Sequence, residues 1–148
     1  MQKIFLIFIS IFILIGCSTK VEQINYNKDV CAYCGMMITD RKFGAELITK
    51  KGKIFKYDSI ECLAAYTNEI EIEEPHSLWF ADFSTPGVLI QDKESKIIRS
   101  DEIQSPMGLS FLAVKKNMEE NRTNILNNTF KEIKWGEVKE IVKAVWEK

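Results

Sequence analysis

Apolar and polar positions follow three different rhythms along this chain. Ile4 through Ile15 is an almost unbroken apolar run, interrupted only by Ser10. Twelve residues fall short of the ~20 that span a bilayer as a helix; they match the apolar core of an export signal. Residues 18–30, STKVEQINYNKDV, are polar and aperiodic and read as a tether. Beyond a sulfur-rich knot at Cys31–Met37 the pattern turns strand-like. Ala45–Thr49 predicts a strand, Lys50–Lys53 a turn, and Ile54–Tyr57 the returning strand. Asp58 and Ser59 can cap a helix over Ile60–Tyr66, with Glu61 in its first turn. A charged stretch from Glu69 to Pro75 then leads to another strand at Ser77–Ala81.

The second half echoes this order. Gly87–Gln91 and Lys96–Arg99 flank a turn at Asp92–Ser95, and Ser100-Asp101-Glu102-Ile103 parallels Tyr57-Asp58-Ser59-Ile60. The apolar stretch Leu109–Ala113 matches Leu63–Tyr66, which places Cys62 and Met107 near the starts of corresponding helices. Phe130–Trp135 predicts a last strand. Glu137–Glu147 predicts a closing helix, with Val138, Ile141, Val142 and Val145 at helical spacing. The fold class expected is α+β: two small β-β-α-β modules, 31–83 and 84–148, packed together behind a signal (1–16) and a tether (17–30). Each module alone buries too little surface to stand by itself.

Composition narrows the function. With 20 Lys+Arg against 21 Asp+Glu, the 148-residue chain has a formal net charge of -1 and no basic field for nucleic acid. One His excludes chemistry that needs two histidines from this chain. There is no nucleophile elbow, no HExxH and no Gly-rich phosphate loop, so no enzyme is expected. Asp58, Asp82, Asp92 and Asp101 read as caps and turns, and Trp79, Phe80 and Trp135 as core.

The apolar run ends in Leu14-Ile15-Gly16-Cys17, which resembles the bacterial lipobox. In that class the signal is cleaved before the cysteine, whose thiol is acylated. The expected protein is therefore a membrane-anchored lipoprotein facing the periplasm or cell exterior. Ser18 resembles the default for outer-membrane sorting in a diderm host. Loss of Lys3 with the signal takes the formal charge to -2. Three thiols then remain: Cys31, Cys34 and Cys62. An odd number in an oxidising compartment leaves at least one unpaired within the chain or bound to something.

Cys31-Ala32-Tyr33-Cys34 is a CxxC, and the residues leave several readings open. It can close as a structural disulfide. It can act as a thioredoxin-like pair, although no apolar strand precedes it. Zinc can be held by three Cys with His76 as the fourth ligand. Thioethers point to copper(I), because thiolate and thioether together select that soft ion. Met36 sits on Gly35, and Met107 lies between Pro106 and Gly108, so both flank turns rather than extend an apolar face. Met37 and Met118 read as core filler. The expected site is Cys34, Met36, Cys62 and Met107, with Cys31 beside it.

Cys17, then Cys31-Ala32-Tyr33-Cys34-Gly35-Met36, Phe55-Lys56-Tyr57-Asp58-Ser59-Ile60-Glu61-Cys62, and Ser105-Pro106-Met107-Gly108 with Phe111, resembles the nitrous oxide reductase accessory lipoproteins, the NosL-like copper chaperones. The likeness covers nearly all of the chain after the signal. It implies a fold of two β-β-α-β modules and a Cu(I) carrier that serves a cuproenzyme maturation or copper transport system, nitrous oxide reductase being the client. Cys34, Met36 and Met107 match the family's motif residues, and Cys62 matches a cysteine of many short members. The histidine ligand of the family has no counterpart here except His76, which lies in no matching motif. The competing reading is a disulfide- or zinc-stabilised lipoprotein that binds another envelope protein.

Overall fold

The computed structural model describes residues 20–70, 77–116 and 130–146. The signal with Cys17, the segment holding His76, and the segment holding Met118 lie outside these residues.

Seven strands and two α-helices follow one another as β1 (Ala45–Ile48), β2 (Ile54–Tyr57), α1 (Ile60–Glu69), β3 (Ser77–Ala81), β4 (Leu89–Gln91), β5 (Ser95–Ser100), β6 (Phe111–Lys115), β7 (Phe130–Ile133) and α2 (Trp135–Trp146). A 3-10 turn at Asp92–Glu94 joins β4 to β5. The strands form two antiparallel sheets, ordered β2-β1-β3-β4 and β6-β5-β7. The architecture is α+β with β-β-α-β-like modules. Among the described residues no helix is long and apolar enough to cross a membrane.

The first hairpin forms as its pattern requires. Glu46 faces Lys56 and Leu47 faces Phe55 across β1 and β2. Gly52, at φ +80°, supplies the left-handed residue of the turn, which is closed by Thr49 N–H donating to Lys53 O at 2.9 Å. Helix α1 starts where Ser59 accepts a hydrogen bond from the Cys62 backbone N–H at 3.3 Å. It buries Ile60, Cys62, Leu63 and Ala64 against the sheet. Helix α2 starts two residues earlier than its periodicity suggests. Lys134 accepts from Val138 N–H, while Glu137 reaches back to the Lys134 N–H at 3.0 Å, which is half of a capping box. One continuous core joins both halves, from Ile38, Leu47 and Leu63 to Phe111, Ile133 and Val138. Asn68 on α1 caps the carbonyl of Lys139 on α2 at 3.0 Å.

The expected echo of the two halves is shifted by one strand. β4, expected to open the second unit, pairs with β3 and completes the first sheet. The Leu109–Ala113 stretch is not a helix: from Phe111 it is strand β6, paired with β5. Phe111, Leu112 and Ala113 are all buried, so the run is apolar on both faces and its periodicity cannot distinguish strand from helix. The likeness that remains is topological. β1 lies between β2 and β3 as β5 lies between β6 and β7. Met107 therefore stands in a turn before a strand, not at a helix start equivalent to that of Cys62.

Candidate metal centre

The CxxC segment is a tight knuckle held by main-chain bonds. Val30 and Met37 form an isolated antiparallel bridge. Inside it Cys31 N–H donates to Met36 O at 2.8 Å, and Gly35 N–H to Cys31 O at 3.1 Å. Gly35 has φ +73°, a conformation an L side chain rarely adopts. Ala32 N–H donates to Lys56 O at 2.9 Å, which ties the knuckle to the edge of β2. Cys62 approaches from the other side, in the first turn of α1.

The result is a cluster of three thiols, Cys31, Cys34 and Cys62, whose sulfur atoms all lie within 4.8 Å of one another. All three are free. Cys31 and Cys62 are buried and Cys34 is half-buried, so the cluster opens to solvent through Cys34.

Its electrostatics are asymmetric. The Cys62 thiol donates to Cys31, and the N–H groups of Cys34, Asp58 and Tyr33 converge on the same sulfur. Against the opposing effect of burial they lower its pKa from 9.0 to about 5. Cys62 is pushed up by that same hydrogen bond, by burial and by the charge of Cys31. Burial raises Cys34 as well. One thiolate is thus ready and two thiols remain to be deprotonated by an incoming cation, the behaviour of a thiolate metal site. Around it, burial and then the Cys31 charge raise Asp58 to about 6. The Tyr57 hydroxyl is buried without a hydrogen-bond partner.

Of the expected ligands, the fold brings Cys34, Cys62 and Cys31 together. Cys31, set beside the site on sequence grounds, holds its most acidic thiol. Met36 shares the knuckle, with N–H directed at Cys34 and its side chain 47% exposed. Met107 is half-buried, on the loop between β5 and β6, packed against the main core. That loop is latched to the cysteine helix. Ser105 Oγ donates to the buried Glu61 carboxylate, and Ser105 Oγ accepts from Ser110 N–H at 2.9 Å. The sequence places Glu61 in the first turn of the helix and Ser105 beside Met107, but nothing local marks a first-turn glutamate as the anchor of a loop 44 residues away.

Fold and cluster together define a small α+β domain that presents buried soft ligands behind one accessible thiol. The same fold is seen in the crystal structure of the copper chaperone NosL from Shewanella denitrificans. That structure has a TM-score of 0.64 and 19% identity, over 80% of this chain and 95% of that one. No protein-family model matches the chain. No curated protein matches it.

Proposed function

We propose that this protein is a copper(I) carrier of the cell envelope: a lipoprotein anchored through Cys17 that binds the ion and passes it to a cuproenzyme maturation or copper transport system. Copper is its cargo, and the protein is a carrier rather than an enzyme. The observation that carries this reading is the cluster of three free thiols within 4.8 Å with one at the surface. A carrier must bind firmly yet release by ligand exchange. Buried Cys31 and Cys62 serve the first need and half-buried Cys34 the second. The proposed ligand set is Cys31, Cys34 and Cys62, with Met36 and Met107 as thioethers from the flanking loops. Structural zinc sites close with four ligands. Among the described residues the group of side chains that could hold an ion is three thiols, and thiolates flanked by thioethers suit the softer ion. Nitrous oxide reductase as the client rests on the motif resemblance and on the shared fold.

The test is anaerobic titration of the reduced protein with Cu(I) against a chromophoric chelator, with Zn(II) in parallel. One Cu(I) per chain is expected. Serine at Cys31, Cys34 or Cys62 should each weaken binding at least about a hundredfold, whereas Met118→Leu should not. Tighter binding of Zn(II) than of Cu(I), or Cu(I) binding indifferent to all three serine variants, overturns the reading.

A further inference from the structure

The chain from the anchor reaches the fold along a defined path. Ile24 and Tyr26 lie against Gly44, where an added Cβ would sit 2.7 Å from the Ile24 side chain and 3.2 Å from the Tyr26 hydroxyl. Two residues earlier in the tether and two later on β1, Glu22 N–H donates to Glu46 Oε1 at 3.1 Å. Lys56 Nζ, on the same sheet face, holds Gln23 O at 3.0 Å and Asp29 Oδ2 at 2.9 Å. The tether thus runs antiparallel to β1 across the outer face of the sheet. Traced backwards, it heads for the end of β1 that enters the Thr49–Lys53 turn. From described Lys20 only three residues remain to Cys17, a reach of about 11 Å when fully extended.

That turn is the most basic point of the hairpin. Lys50, Lys51 and Lys53 are all exposed. Together with Thr49, Phe55, Tyr66 and Ile70 they line a cavity of about 320 Å³ with an apolar floor. Ile70, at the end of α1, is 43% exposed. The thiol cluster lies at the other end of the same elements, where β2 finishes and α1 begins. Ten residues of α1 separate the two ends, about 15 Å.

We propose that the Lys50–Lys53 turn, with the apolar floor beside it, is the face that rests on an anionic phospholipid surface, so that the thiol cluster points away from the bilayer. Two arguments carry it: the short remaining length of chain from Lys20 to the anchor, and three cations placed where that chain leaves the fold. Lysines held near an anionic leaflet are attracted to it, and that attraction weakens beyond a Debye length. The inference rests on acylation of Cys17 but not on which metal the cluster holds.

The test uses the full-length acylated protein, its lipid confirmed by mass spectrometry. It is reconstituted on vesicles of phosphatidylcholine mixed with phosphatidylglycerol and on vesicles of phosphatidylcholine alone. A water-soluble amine-acylating reagent reads lysine exposure. On the anionic vesicles Lys50, Lys51 and Lys53 should react several-fold more slowly than in detergent. Exposed Lys28 and Lys42, at the cluster end of the sheet, should be unchanged. The double variant Lys51→Glu, Lys53→Glu should restore fast reaction of Lys50. Equal rates on anionic vesicles and in detergent overturn the orientation, as does slowing of Lys28 and Lys42 instead. Equal slowing on neutral vesicles overturns the anionic-lipid match. A chain found unacylated overturns both the anchor and the orientation, and mass spectrometry distinguishes that failure from the others.

Discussion

Two buried acids of opposite character set the pH behaviour of this domain. The folded Cys31 thiol titrates at about 5 instead of 9.0. Its ionised form therefore adds stability that is present above the unfolded value and is lost as pH falls through about 5. In metal-free protein the ultraviolet absorbance of thiolate should persist down to about pH 5 and vanish in Cys31→Ser. Loading a metal onto all three sulfurs near neutral pH should release about two protons, one each from Cys34 and Cys62, so affinity should climb with pH. Calorimetry in buffers of different ionisation enthalpy reads that number. Glu46 behaves in the reverse sense. Burial lifts it from 4.5 to about 7, and its Oε2 has no hydrogen-bond partner. The neutral form is favoured in the fold, so its contribution is fully present below 4.5 and is lost as pH rises through about 7. Because Cys31 pulls the other way over the same range, the readout is the difference: in denaturant unfolding Glu46→Gln should gain about 2 kcal/mol relative to the parent as pH rises from about 4 to about 8.

At the level of elements, α1 joins the cluster to the rest of the fold. Ser59 caps it through the N–H of Cys62 itself, so Ser59→Ala should cost about 1 kcal/mol and loosen a ligand-bearing turn. Glu61, next along, holds the Met107 loop through Ser105. Ser105→Ala leaves the buried Glu61 Oε1 with only the long bond from Phe111 N–H at 3.5 Å, and thermal unfolding should report a loss of about 1–3 kcal/mol. Met107→Leu nearly conserves volume; its circular dichroism should match the parent while Cu(I) affinity falls. Unchanged affinity would return Met107 to a packing role. The hairpin, the capped helix and the closing helix were legible because each carries a local signal: a Gly turn, a Ser cap, an apolar stripe. The strand at Phe111–Lys115 was not, since an apolar run buried on both faces has no period. Misreading it shifted the repeat by one strand and gave Cys62 and Met107 an equivalence they lack. Cys34 and Cys62 were expected in one site with Cys31 beside it, and the three sulfurs do converge; what the sequence does not carry is the Ala32–Lys56 bond that folds the knuckle against β2. Glu46 sits on the sheet face crossed by the tether, where Glu22 N–H donates to it, and it is fully buried.

On the scale of the molecule, one core spans both sheets and both helices, with Phe80 of β3 against Trp135 of α2 at a ring distance of 5.9 Å. Tyr33 of the knuckle stacks on Trp146 at the end of α2 at 6.1 Å, and its hydroxyl donates to Glu69 at 2.8 Å. Oxidation at the cluster should thus be local. Mild oxidant should close one disulfide, between Cys31 and Cys34, and leave Cys62 free. The oxidised protein should lose copper without unfolding, because a disulfide offers no thiolate. Peptide mapping under non-reducing conditions with parallel metal analysis checks both outcomes, and equal copper affinity before and after oxidation would contradict them.

The tether that crosses the sheet has a mechanical side. It runs antiparallel to β1 and is fastened at Glu22, Gln23, Ile24 and Tyr26 along the strand's own axis. A pull from the anchor end therefore loads these fastenings together, in shear, instead of opening them one by one from an end. The thiol knuckle lies beyond the last of them, past Asp29, and feels the pull only after the others have yielded. A partner that tugs on the anchored protein while taking its cargo would strain the sheet long before it disturbed the geometry of the three sulfurs.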